Sequence, residues 1–379
     1  MKLSRIETFH VPPRWLFVRV ESHDGAVGWG EASLEGHAEA VDGAFESFRD
    51  RFIGHDARRI EDIWQVAYRG GFYRGGPVLM SALAGLEQAL WDMKGRAFGM
   101  PAWEMLGGQV REKIRAYAWI GGDRPSEIAA AARARREQGF SAVKMNATAE
   151  LDFLGTPKIL ADVVERIRAA QAEGLDVGLD FHGRVHKPMA KQLAKLLDPL
   201  GLLFIEEPLL MENPEGLAQI GRMIATPIAL GERLYSRWDF KLFLERGAVD
   251  IIQPDLSHAG GLLECRKIAA MAEAYDVAVA PHCPLGPLAL ATCLQLAACT
   301  PNVVIQEMSL GIHYNVEHDL LSFVRNPDVL TPADGFLPIP TGPGLGVEID
   351  EAAVREANRE RHRWRNPVWR HPDGSLAEW

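Results

Sequence analysis

Apolar and polar positions change rhythm twice along the chain. Over the first ~110 residues, short strand-like runs mix with helical periodicity. Leu16–Glu21 predicts a strand, Asp24-Gly25 its hairpin turn and Val27–Glu31 the returning strand. Pro77 opens a helix with Leu79, Leu83, Leu86 and Leu90 along one side. Strands followed by helices, without strict alternation, predict an α+β unit over residues 1–112. From Lys113 the texture becomes regular. Apolar runs recur at Ile114–Trp119, Ala142–Asn146, Val177–His182, Leu202–Glu206, Pro227–Glu232, Asp250–Asp255, Val277–His282 and Val303–Glu307. Amphipathic segments such as Ile128–Gln138 and Leu262–Tyr275 lie between them. Eight strand candidates at a pitch of about 25 residues predict a parallel βα barrel over residues 113–325. A doubly wound sheet would carry Gly-x-Gly-x-x-Gly after its first strand, and none is present. Past Leu320 the alternation stops. Pro338 to Gly346 reads as turns, Glu351 to about Arg361 as a helix, and Trp364, Trp369 and Trp379 are too apolar for a free tail. Residues 326–379 are therefore expected to pack back on the first unit.

Composition removes several function classes. The 379 residues are 47% hydrophobic and 24% charged, with a net charge of −10. No basic stretch offers a nucleic-acid footprint. No apolar run approaches the roughly 20 residues that cross a bilayer, and no apolar segment behind a basic start predicts a secretory signal. Four cysteines without Cys-x-x-Cys spacing argue against a disulfide framework or a zinc site. The expectation is a soluble cytoplasmic protein acting on a small molecule. An anionic substrate would need local positive charge, which a bound metal would supply.

The informative charges stand where the apolar runs end. The third run closes on Asp180 and His182, the fourth on Glu206 and Glu207, and the fifth on Glu232. The sixth ends at Asp255, the seventh at His282 and the eighth at Glu307. In a barrel all these ends meet at one mouth. Clustered carboxylates raise one another's pKa unless a cation neutralises them, and an all-oxygen set suits Mg²⁺ better than zinc or copper. Strand alternation does not choose between Glu206 and Glu207, although the equal spacing of Asp180, Glu206 and Glu232 favours Glu206.

With Gln-Pro-Asp at Asp255, Pro-His-Cys-Pro at His282 and Glu307, these motifs resemble the enolase superfamily, mandelate racemase subgroup, over nearly the whole chain. The resemblance implies an α/β fold: a modified (β/α)8 TIM-like barrel of (β/α)7β form. An N-terminal α+β capping domain would be completed by the C-terminal tail. It implies one Mg²⁺ on Asp180, Glu206 and Glu232, an Asp255–His282 dyad as base, and a homo-oligomer, octameric in related enzymes. The stretches Asp180–Pro188, Gly231–Asp239, Ser257–Lys267, Gly311–Asn315 and Trp364–Trp379 are similar to acid-sugar dehydratases of that subgroup, with D-galactonate the expected substrate.

The residues fit that chemistry. A proton beside a carboxylate is very weakly acidic, and a cation stabilises the enediolate left when it departs. His282 is the expected base and His182, on the opposing strand, the acid for a leaving hydroxyl. Lys144 and Asn146 share a face of the second strand, where racemases of this family resemble Lys-x-Lys. Asn146 has no proton to exchange, which speaks against lysine-based racemisation. Lys144 is expected to hold the substrate carboxylate or pair with a ligand carboxylate, and Glu307 to bond the enediolate or that lysine. His10, Pro12, Pro13, Arg14 and Trp15, and the Gly-rich Tyr68–Pro77, are candidate lids, with Trp15 a candidate substrate contact. His313 and Tyr314 are expected to touch hydroxyls. The competing readings are an epimerase using the same two histidines, a metal-dependent hydrolase, and a silent sugar-acid binder.

Overall fold

The chain opens with three antiparallel strands, β1 (Leu3–Val11), β2 (Trp15–Ser22) and β3 (Val27–Glu31). β1 alternates apolar Leu3, Ile6 and Phe9 with charged residues and was not evident in the hydrophobic pattern. Helices α1 (Ala38–Phe52), α2 (Ile60–Arg69) and α3 (Pro77–Phe98) follow. α3 lies directly on β3. A Cβ at Gly28 would stand 2.1 Å from the Ala89 carbonyl oxygen, and one at Gly30 would stand 2.3 Å from that of Gly85. Only glycine permits this approach, so both faces of α3 become buried. The computed structural model describes residues 1–123 and 126–379.

After the short α4 (Ala102–Met105), strands and helices alternate. β4 (Lys113–Ile120), α5 (Ile128–Glu137), β5 (Ala142–Asn146), α6 (Pro157–Gln171) and β6 (Asp176–Asp180) form the first part. α7 (Lys187–Leu197), β7 (Phe204–Glu206), α8 (Pro214–Gly221), β8 (Ile228–Leu230), α9 (Arg237–Arg246) and β9 (Ile251–Ile252) continue it. α10 (Leu262–Glu273), β10 (Ala278–Val279), α11 (Pro287–Cys299) and β11 (Gln306–Met308) complete it. β4 to β10 pair in parallel in chain order, and β11 pairs with β4. A parallel bridge from Val279 to Val303, just before β11, closes the ring. Seven helices and eight strands make the (β/α)7β barrel. The register sets Asn146, Asp180 and Glu206 side by side at the carboxyl end.

β12 (Phe336–Pro338) pairs antiparallel with the first half of β4. The chain then returns to the N-terminal sheet through α12 (Glu351–Ala357) and ends in the two-residue strands β13 (Trp369–Arg370) and β14 (Leu376–Ala377). Asn358 accepts from the His10 amide at 2.7 Å, Arg361 pairs with Asp42, and Arg19 reaches Glu351. Two buried carboxylates join the N-terminal layer to barrel helices. Glu31 accepts from the Gly286 and Ala289 amides at the start of α11. Glu87 accepts from Leu262 and Leu263 at the start of α10. Each carboxylate meets unpaired helix N–H groups at the positive end of a helix dipole. Among the described residues no helix is long and apolar enough to cross a membrane.

Candidate active site

At the carboxyl end of the barrel lies a cavity of about 340 Å³. Its floor is a charge cluster. Lys144 stands at the centre, with its Nζ 2.9 Å from Glu206, 2.9 Å from Glu307 and 3.3 Å from Asp180, all of them buried. Burial alone would lower the Lys144 pKa, but these carboxylates outweigh it and hold the ammonium well above its ordinary value. Glu206 also accepts from Gln253 at 2.6 Å, and Glu307 from the Cys283 amide at 2.9 Å.

Two aspartates each take a backbone amide with one oxygen and face a histidine with the other, Asp180 at Nε2 and Asp255 at Nδ1. Asp180 accepts from the His182 amide with Oδ1 at 2.7 Å and faces the His182 Nε2 with Oδ2 at 3.1 Å. Asp255 accepts from the Ser257 amide with Oδ1 at 2.6 Å and meets the His282 Nδ1 with Oδ2 at 2.8 Å. The Nε2 of His282 is free of Asp255 and lies 3.2 Å from Glu232. Burial pushes His282 down, yet Glu232 and Asp255 carry it up to about 10. The His182 Nδ1 lies 3.2 Å from the Arg184 guanidinium, which has no acceptor, so Nδ1 accepts and the proton sits on Nε2. Its ring stacks on Trp119 at 5.4 Å. His182 and Glu207 both have left-handed backbone, φ 48° and 40°, a strained conformation for non-glycine residues that concentrates at functional sites.

Asp180, His182 and Glu232 offer ligand atoms that all lie within 4.8 Å of one another. The buried Asp180 Oδ2 and Glu232 Oε2 accept no hydrogen bond, and neither oxygen of Glu207 does. Burial and the neighbouring carboxylates push Glu206 well up; burial, offset in part by Arg233, takes Glu207 to about 8. Unsatisfied carboxylate oxygens facing one another fit a hard divalent cation. Glu206 stands level with Asp180 in the register, with its oxygens on Lys144 and Gln253. Arg233 spans Glu207 at 3.3 Å and Glu232 at 3.4 Å and donates to the His182 carbonyl at 2.8 Å.

Lys144, His182, Glu232, His282, Glu307 and Tyr314 line the cavity. Three expected substrate contacts, Trp15, Asn146 and His313, stand outside the cavity lining. Trp15 starts β2 with its side chain in the core, stacked on Phe17 at 5.9 Å and edge-on to Phe323 at 6.2 Å. Its neighbour Arg14 lines the cavity instead. Asn146 lies outside the lining residues and donates to the carbonyls of Gly122 and Asp123, fixing the loop that carries Asp123. His313 sits behind Asp123 at 3.3 Å and outside the cavity, whereas the Tyr314 hydroxyl bonds the same carboxylate. Sequence reasoning missed Glu35, Asp123, Arg233 and His258, and gave Arg14 only as part of a candidate lid. Arg233 follows Glu232 and His258 is three residues past Asp255, so extending the strand-end logic by one turn would have reached both. Glu35 and Asp123 come from loops with no local signal. His258 lies 3.5 Å from Glu35 and 3.7 Å from Asp255, and Arg14 bonds Glu35 at 3.3 Å.

The chain matches two family models. Residues 6–107 match the mandelate racemase/muconate lactonizing enzyme N-terminal domain, and residues 127–353 the enolase C-terminal domain-like family. It is 53% identical to a D-galactonate dehydratase of Ralstonia pickettii (strain 12J) and 52% identical to one of Ralstonia nicotianae (strain ATCC BAA-1114 / GMI1000), over 100% of each chain. Among solved structures it resembles an enolase from Agrobacterium radiobacter with sodium and L-malate bound (30% identity, TM-score 0.89, 100% of both chains). It also resembles an enolase superfamily member from Salmonella Typhimurium (29% identity, TM-score 0.85), covering 94% of this chain and 98% of that one.

Proposed function

The chain belongs to the mandelate racemase/muconate lactonizing enzyme family of the enolase superfamily, and on that premise we propose that it is a Mg²⁺-dependent acid-sugar dehydratase. It removes water from D-galactonate to give 2-dehydro-3-deoxy-D-galactonate. The observation that carries this reading is the pair of aspartate-held histidines, His282 and His182, on either side of Glu232. Full-length identity of 53% to a D-galactonate dehydratase supports the substrate.

His282 takes the C2 proton on Nε2 in its neutral form, which is favoured once Glu232, the carboxylate that most raises it, is neutralised by the cation it would hold. Asp255 holds Nδ1, which fixes the tautomer and supports the imidazolium as it forms. Asp180 and Glu232, with Glu206 beside them, hold the cation. When bound, it supplies the positive charge that makes a second negative charge beside the substrate carboxylate tolerable. Lys144 orients Glu206 and Glu307, and Glu307 lines the cavity, where a protonated carboxyl would donate to the carboxylate end of the substrate. With Asp180 Oδ2 engaged by the cation, the His182 Nε2–H that faces it would be free for the C3 hydroxyl and would assist its departure, because hydroxide leaves poorly without a proton.

A second reading rests on one distance set. His182 shares the cation-sized cluster with Asp180 and Glu232, which suits a ligand as well as an acid. The primary test is turnover of the purified protein with Mg²⁺ on D-galactonate, with the 2-keto-3-deoxy product detected. Expected is formation of that product and its loss on chelation. Inert D-galactonate beside turnover of another acid sugar would overturn the substrate and keep the reaction class.

A further inference from the structure

The cavity wall farthest along the chain comes from the C-terminal segment. Asn366 and Trp379 both line it. Trp379 lies 6.4 Å from the Tyr314 ring and 6.1 Å from Trp364, while the Arg14 guanidinium sits 4.3 Å over Tyr314 and 5.4 Å over Trp364. Asn366 occupies the space that a side chain at Gly36 would take, since a Cβ there would meet its Oδ1 at 1.7 Å. The segment also reaches the leaving-group side. Trp369 packs under Arg184 at 4.9 Å, and Arg184 in turn touches His182.

This wall has buried donors whose hydrogen bonds are incomplete. The Trp379 Nε1 and Arg14 Nε are buried and complete no hydrogen bond, although Trp379 is directed towards Asp123. A buried donor left unpaired is destabilising, so a ligand oxygen is the natural partner. The same wall offers the carboxylates of Glu35 and Asp123 as acceptors. Donors and acceptors mixed in one patch match the hydroxyl chain of a sugar acid.

We infer that Trp379, with Asn366 beside it, reads the hydroxyls at C4 to C6 of the acid sugar. This makes the C-terminal segment a specificity-determining wall, and the inference rests on the dehydratase reading. It separates acid sugars that share the reacting C2 and C3 centres. The test compares kcat/KM on D-galactonate, its C4 epimer D-gluconate and 6-deoxy-D-galactonate for the wild type, Trp379→Phe and Asn366→Ala. Trp379→Phe keeps a ring and removes the N–H. Its preference for D-galactonate over at least one analogue should fall about 5- to 30-fold, the range of one hydrogen bond, with the loss mainly in KM. Asn366→Ala should change a preference ratio in the same direction. Ratios within about twofold of the wild type in both variants, or equal losses on all three sugars, would overturn the inference and leave the dehydratase reading intact. A wild type that dehydrates none of the three removes that reading, and the inference with it.

Discussion

Asp180 and Asp255 divide their oxygens identically, one to a backbone amide and one to a histidine, yet the two histidines differ in what lies behind them. His282 has a carboxylate at Nδ1, the arrangement of a base; His182 has a guanidinium there, which leaves Nε2 as a donor. In deuterium oxide, His282→Asn should lose both C2 proton exchange and dehydration, by at least about 10²-fold. His182→Asn should keep exchange and metal affinity while losing water elimination. Loss of metal affinity in His182→Asn would establish the ligand role instead. The residue types of this site were legible because charge at the end of an apolar run stands out. Trp15 and Asn146 misled because the side to which each points depends on partners from elsewhere in the chain. Phe323 covers Trp15, and the 122–123 loop takes the Asn146 amide. Asp123 was invisible for the same reason.

All eight barrel strands fall within or overlap the apolar runs, since a strand buried on both faces leaves a continuous hydrophobic signature. Several are short. The paired part of β9 ends at Ile252 and that of β10 at Val279, so Asp255 and His282 stand three residues beyond the ladder on backbone free to aim them. β1 went unread because its polar face is heavily charged and its partners include the distant α12. The helix-capping glutamates were equally silent, since their partners lie more than 170 residues away. Burial, opposed by the Leu263 and Leu262 amides, takes Glu87 up to about 7. A raised carboxyl disfavours the folded state only when ionised. The effect is absent below the ordinary value of 4.5, grows through the interval and is complete above pH 7. Its full size is about 3 kcal/mol. Glu87→Gln cannot ionise, so its melting temperature relative to the wild type should rise between pH 5 and pH 8. A difference independent of pH would show that the α10 amides keep Glu87 ionised throughout.

For the whole molecule, the carboxylate cluster makes stability depend on what fills it. Asp180, Glu206, Glu207 and Glu232 face one another with only Lys144, Arg233 and the histidines for compensation. A cation that binds only the folded state stabilises it by about 2.7 kcal/mol at 100 times its Kd. Thermal melting should therefore rise by a few degrees in Mg²⁺ relative to chelator. Asp180→Asn should abolish most of that rise. Identical melting of the wild type in both buffers would remove the metal assignment. The return of the chain from α12 onto the first sheet has a consequence for biosynthesis. β1 and β2 leave the ribosome long before their partners, because Arg19 and His10 await Glu351 and Asn358, more than 330 residues later. Until that segment emerges, one flank of the sheet stays uncovered while the barrel is being made. A stretch translated late is what seals one translated early.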